Sequence, residues 1–147
     1  MTQDWKRLVE RWTSVYGCRT LPGVPSDEWG SVLAGGRPLP ATLQPLYEIS
    51  NGLRGEGLIL LPVARPTDLK RTWDSIQRAN DPEHSRFLQW DLGLLEQFLV
   101  VADIGGESCA AVARIDGSFW YEDDEGFHQT TLSLEEFIER ALMDAAK

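Results

Sequence analysis

The chain has 147 residues, 42% apolar and 25% charged, with a formal net charge of −9. That length suits one domain, residues 1–147, which at this size buries about 68–70% of its unfolded surface and needs neither metal nor disulfide to fold. Cys18 and Cys109 stand far apart and outside any C-x-x-C, which excludes a disulfide framework and reads as two reduced thiols. No apolar run approaches the about 18 residues of a membrane span. The opening "MTQDWKRLVERW" is broken by charges rather than apolar like a signal peptide. The cytoplasm is the expected location.

In chain order, Trp5, Leu8, Val9, Trp12, Val15 and Tyr16 recur at helical spacing and predict an amphipathic helix stopped by Gly17. Residues 18–38 are rich in Pro and Gly and read as a connection with a short helix near 27–33. Together 1–38 are expected to form a helical and looped extension to a core at 39–145. A second helix is predicted over 39–52, with Leu39, Leu43, Leu46 and Tyr47 on one face and Asn51-Gly52 as its stop. Pro45 should kink that helix or delay its start. Residues 57–62, "GLILLP", suit a buried strand. A third helix is predicted over 66–80, with Leu69, Trp73 and Ile76 sharing a face. The stretch "SRFLQWDLGLLEQ" reads as loop with short elements.

From Phe98 the period changes to that of strands. "FLVVADI", "CAAVARI", "SFWY" and "FHQTT" predict an antiparallel meander. Asp116-Gly117 carries the signal of a two-residue type I′ turn, and "EDDEG" forms the next one. Ser133 and Glu136 make a capping box, with Leu132 and Phe137 as its hydrophobic staple. The last helix then carries Phe137, Ile138, Ala141 and Leu142 on one stripe. The expected class is α+β: N-terminal helices, a meander of about four to five strands, and a C-terminal helix packed on the sheet.

Charge is unevenly placed. Residues 1–100 carry 12 carboxylates against 11 cationic side chains, whereas 101–147 carry 11 against 3. An acidic end of that kind repels phosphate backbones and attracts basic protein surfaces, so direct nucleic-acid binding is not expected. Glu122, Asp123, Asp124 and Glu125 stand consecutively at the predicted hairpin tip, with Asp103, Glu107 and Asp116 near strand ends. The run serves either as a solvated turn that blunts a sheet edge or as a partner-binding surface.

Catalysis and metal binding find little support. His84 and His128 are the only histidines, and neither stands in a nucleophile motif. Four neighbouring carboxylates lack the EF-hand pattern, and adjacent strand residues point to opposite faces. No Walker pattern follows Gly105-Gly106. No catalytic residue, metal ligand or cofactor is assigned, and a hydrolase is the least supported reading. Of six tryptophans, Trp5, Trp12 and Trp73 fall on helix stripes and read as core. Trp29 and Trp90 fall in irregular segments and are candidate exposed anchors, as are Trp120 and Tyr121 beside the acidic turn.

"PLPATLQPLYEISNG" resembles the "LP-x-x-L…L…-NG" helix of the SUKH superfamily. The stretch "FLVVADIGGESCAAVARIDGSFWYEDDEGFHQTTLSLEEFIERAL" is similar to the rest of that pattern: strand, glycine turn, strand, acidic hairpin and closing helix. The resemblance covers about 39–142. Gly106 is followed by Glu107-Ser108, where the family often has Gly-Asp, and Pro45 is a second departure. The resemblance implies an α+β fold without catalytic residues. Many bacterial members are immunity proteins that bind and block a toxin domain, often a nuclease or nucleic-acid deaminase; fungal members regulate cell-wall synthesis through protein contacts. The expectation is an immunity protein, monomer or weak dimer, that occludes the basic active site of a cognate toxin. Its partner-binding residues are Asp103, Glu107, Trp120, Tyr121, Glu122, Asp123, Asp124, Glu125, Trp29 and Trp90. The alternative is a non-catalytic regulatory scaffold that binds a cellular protein or small ligand.

Overall fold

The computed structural model describes residues 4–34, 37–63, 75–81, 83, 87, 93–105, 108–123 and 125–145. The fold is α+β, built on one antiparallel sheet with an N-terminal and a C-terminal helix.

Helix α1 (Trp5–Tyr16) starts at Asp4, whose side chain accepts the Arg7 N–H, and ends at Gly17, in the left-handed conformation at φ +67°. Its inner face buries Val9 and Trp12, with Trp12 fully enclosed, while Val15 on the outer side is 59% exposed. Strand β1 (Arg19–Pro22) follows, then the one-turn helix α2 (Ser26–Trp29) and a small ribbon of β2 (Leu33–Ala34) and β3 (Arg37–Pro38).

The helix predicted over 39–52 is shorter. A 3-10 turn (Ala41–Leu43) leads into α3 (Gln44–Ile49), with Pro45 in its first turn. The proline delays the start, because its missing N–H is tolerated only where no intrahelical partner exists. Asn51 and Gly52 lie inside a strand, β4 (Ser50–Gly55), which hairpins into β5 (Leu58–Leu60). Of the helix predicted over 66–80, the described part is α4 (Ile76–Ala79), which begins at the Ser75 cap; Leu69 and Trp73 lie outside the described residues. Helix α5 (Leu94–Gln97) runs directly into β6 (Phe98–Ile104).

The predicted meander is present as β6, β7 (Ser108–Ala113), β8 (Phe119–Asp123) and β9 (Gly126–Gln129), and helix α6 (Leu134–Ala145) closes the chain. Among the described residues the main sheet holds seven strands in the order β1-β4-β5-β6-β7-β8-β9, all neighbours antiparallel, rather than the expected four to five. The additional strands lie in 19–60, where Pro and Gly mask the alternation of a half-buried strand. The link between β7 and β8 is also longer than a two-residue turn. Ala113 N–H bonds to Ser118 O across a four-residue loop, and Gly117 N–H returns to Ala113 O with Gly117 at φ +73°.

Two buried asparagines act as substitutes for strand backbone. Asn51 Oδ1 accepts the Val63 N–H at 2.7 Å while its Nδ2 donates to Val63 O at 2.9 Å. Asn80 does the same for Val100, at 2.7 and 3.0 Å, and also donates to Ile76 O. Val100 stands at the irregularity where β6 shifts register against β7. Its amide groups find in Asn80 what a neighbouring strand would otherwise supply.

Buried apolar residues from Val9 to Leu142 form one cluster, and those of 1–38 (Trp12, Cys18, Val24, Trp29) belong to it. The sheet face under α6 carries Leu58, Leu60, Ala102, Ile104, Ala110, Phe119 and Tyr121 by register. Phe137 of α6 packs edge-on against Phe119 at 4.9 Å and against Tyr121 at 5.4 Å. Leu142 lies so close to Gly55 that a Cβ there would meet its Cδ2 at 2.6 Å. Glu139 joins the two terminal helices. It accepts from Arg11 Nη2 at 2.8 Å, from the indole N–H of Trp12, and from the Tyr16 hydroxyl at 3.4 Å.

Candidate functional site: an acidic hairpin beside a groove

By register the turns around Gly57, Gly105 and Glu125 lie at one end of the sheet, and the 114–117 loop with Asp116 lies at the other. The acidic hairpin and Asp116 therefore lie at opposite ends of the sheet. Gly105 N–H donates to Gly57 O at 3.0 Å and ties two of these turns together.

The acidic run is part strand and part turn. Glu122 and Asp123 end β8, Asp123 pairs with Gly126, and Glu125 lies in the turn between them; Asp124 lies outside the described residues. Asp123 organises the tip. Its Oδ1 accepts the Glu125 N–H at 2.8 Å, and its Oδ2 lies 2.9 Å from His128 Nε2. The bond with His128 holds the Asp123 carboxyl below the ordinary range, and in return Asp123 raises the His128 pKa. The other ring nitrogen, Nδ1, lies 3.4 Å from Gln129 O. The imidazole thus turns one nitrogen to a carboxylate and the other to a backbone carbonyl, where a general base would face a nucleophile.

Trp120 and Tyr121 are adjacent on β8 and so occupy opposite faces. Trp120 stacks on Phe127 at 5.7 Å and tilts against Phe98 at 4.9 Å. Its indole N–H is spent on Ser118 Oγ, which in turn donates to Asp116 Oδ1 at 2.7 Å. Tyr121 packs between Phe137 and His128 under α6. Partial burial raises the phenol pKa, and the Asp123 carboxylate adds to the shift. One binding surface can therefore use only one of these two rings.

The other expected anchors fall elsewhere. Asp103 is 4% exposed, on the middle strand β6 between Ile59 and Cys109, and does not contribute to the surface at the strand end. Trp29 is 6% exposed and packs on Tyr47 at 5.8 Å, so its proline-rich surroundings conceal a core residue. Glu107, Trp90 and His84 lie outside the described residues. Cys18 and Cys109 are buried free thiols, and burial pushes the Cys18 thiol up. Among the described residues no three His, Cys, Asp or Glu side chains gather as a metal site requires, and no helix is long and apolar enough to cross a membrane.

Sequence reading missed a groove of about 590 Å³ between the C-terminal half of α6 and this end of the sheet. Its floor is largely apolar, with Ile104, Leu132, Phe137 and Ala141, and its rim carries Glu122, Asp123, Asp144 and Arg140. The capping box fixes the helix over it. Glu136 N–H donates to Ser133 Oγ and Ser133 N–H to Glu136 Oε1, both at 3.2 Å. Only the spacing of Asp144 and Arg140 on one helix side signals the groove in the sequence; the strand partner across it is set by topology.

No family model, curated protein or solved structure matches the chain.

Proposed function

We propose that the protein is a cytoplasmic, non-catalytic immunity protein. It binds a cognate bacterial toxin domain, a nuclease or nucleic-acid deaminase, and occludes its basic active site. The SUKH-like sequence pattern supports the toxin as partner. The observation that carries the mode of binding is the acidic β8–β9 hairpin, with Asp123 fixing its tip through Glu125 and His128. A preformed acidic tip loses little ordering entropy on docking. Opposite charge on the two surfaces steers their encounter toward rates on the order of 10⁸–10⁹ M⁻¹s⁻¹ at low salt. The ion pairs at the rim add only about 0–1 kcal/mol each, so the hold comes from desolvated contacts next to the tip.

The experiment is co-expression with the toxin domain encoded beside this chain, followed by co-purification and stopped-flow association. Glu122→Lys with Glu125→Lys should slow association at least tenfold at low salt and remove most of its salt dependence. An unchanged rate would discard the hairpin as the docking element, and absence of any complex would discard the immunity reading.

A further inference from the structure

The two edges of the sheet are built differently. The β1 edge carries Pro22 and a shift of register between Thr20 and Pro22, and both features spoil pairing with a further strand. The β9 edge carries neither, since Trp120 to Asp123 meet Gln129 to Gly126 in unbroken register. Thr130 N–H donates to Phe119 O at 3.0 Å, which with that register sets the phase of the strand. Gly126, His128 and Thr130 turn their backbone groups to β8, and Phe127 and Gln129 turn theirs outward. Among the described residues no strand lies beyond β9, and this outer row meets one side-chain group, His128 Nδ1, 3.4 Å from Gln129 O.

We propose that the partner protein adds an extended segment to the sheet along β9, held by main-chain hydrogen bonds to Phe127 and Gln129. The inference rests on the reading above that the partner is a basic toxin domain, and it names the kind of segment that docks. Outward N–H and C=O groups at strand spacing match one ligand chemistry, another extended backbone. Charge decides whose backbone it is. Residues 119–131 carry four carboxylates and neither Lys nor Arg. A second copy of this chain would set one acidic hairpin beside another, whereas a segment of a basic protein meets opposite charge. The incoming residue beside Phe127 falls on the face of Phe127 and Trp120, whose stacked rings suit an apolar or aromatic neighbour.

The experiment is amide hydrogen exchange by NMR on the ¹⁵N-labelled chain, free and in complex with the toxin domain encoded beside it. The amides of Phe127 and Gln129 should exchange about tenfold or more slowly in the complex, while His128 and Thr130, already bonded to β8, change much less. Gln129→Pro removes one outward N–H without touching a bond to β8; it should weaken the complex about tenfold with a melting temperature near that of the parent. Gln129→Ala keeps the N–H and should bind within about twofold of the parent. A complex that adds no protection at Phe127 and Gln129, or that forms equally well with Gln129→Pro, would overturn the edge pairing and leave the immunity reading standing. Self-association of the free chain that protects the same two amides would also overturn it, by making a second copy the occupant. Absence of any toxin complex would remove the immunity reading and this proposal together.

Discussion

His128 and Asp123 form a diagonal cross-strand pair, with Nε2 2.9 Å from the carboxylate, one rung inside the turn of the acidic hairpin. The pair joins the residue that begins the turn to the strand leaving it. Asp123 thereby has a structural partner in β9.

The first prediction concerns pH. The His128 pKa is raised in the folded state, so its share of stability is present below about 6.5, the ordinary histidine value, and is lost as pH rises through the raised one. The Asp123 pKa is lowered, so its share is present above about 3.9 and is lost as pH falls through the lowered one. The clasp is complete between those two limits. Proton NMR of the imidazole should give His128 a pKa above 6.5, and Asp123→Asn should bring it down. No change on that substitution would mean the pair does not form in solution.

Glu139 provides the second. Burial works to raise its pKa, but the bonds from Arg11 and Trp12 outweigh it and hold the carboxyl below the ordinary range. Glu139→Ala would leave the indole N–H of the fully enclosed Trp12 without its acceptor, a loss of about 1–3 kcal/mol in urea unfolding. The exposed Arg11 should matter less, with Arg11→Ala moving the urea midpoint less than Glu139→Ala does. The Glu139 contribution is full above about 4.3 and falls away as pH drops through its lowered pKa.

A third prediction follows from the asparagine at the irregular strand. Asn80→Ala removes the partner of both Val100 amide groups, and Val100 is fully buried. The cost should be on the order of 3 kcal/mol, since two buried polar groups lose their bonds together. Asn80→Asp should be no rescue, because a carboxylate cannot donate to the Val100 and Ile76 carbonyls. Denaturation midpoints that differ little between the three chains would contradict the assignment.

Trp29 separates core from contact. Trp29→Ala should destabilise the fold by about 3–5 kcal/mol, as removal of a buried aromatic does. Its effect on toxin association should be no larger than that loss of folded protein explains. Glu125→Lys should behave in the opposite way, slowing association with a melting temperature close to that of the parent.

The sequence was legible where structure is local. The capping box at Ser133 and Glu136 and the alternation from Phe98 to Gln129 each specify an element within a few residues, and both stand as expected. Strands β1 and β4 were hidden because their partners decide them. Thr20 meets Leu53 across a gap that no window spans, and Asn51-Gly52, a stop signal in isolation, lies within a strand. The site was legible in part. The hairpin follows from turn chemistry, but the groove needs α6 to lie over strand ends far away in the chain. Asp103 and Trp29 misled for one reason: residue type near glycine and proline predicts exposure, and position in the sheet order overrides it.

The Asn51 clasp has a covalent consequence. An asparagine followed by glycine is the dipeptide in which the side-chain carbonyl is most readily attacked by the next backbone nitrogen, with loss of ammonia. Here Val63 holds the Asn51 amide, and Gly52 is fixed at φ +86° with Leu60 O directly beside it. Deamidation at this bond therefore waits on local opening of β4. Mass spectrometry of aged protein would read it as a slow clock of how often that part of the sheet comes apart.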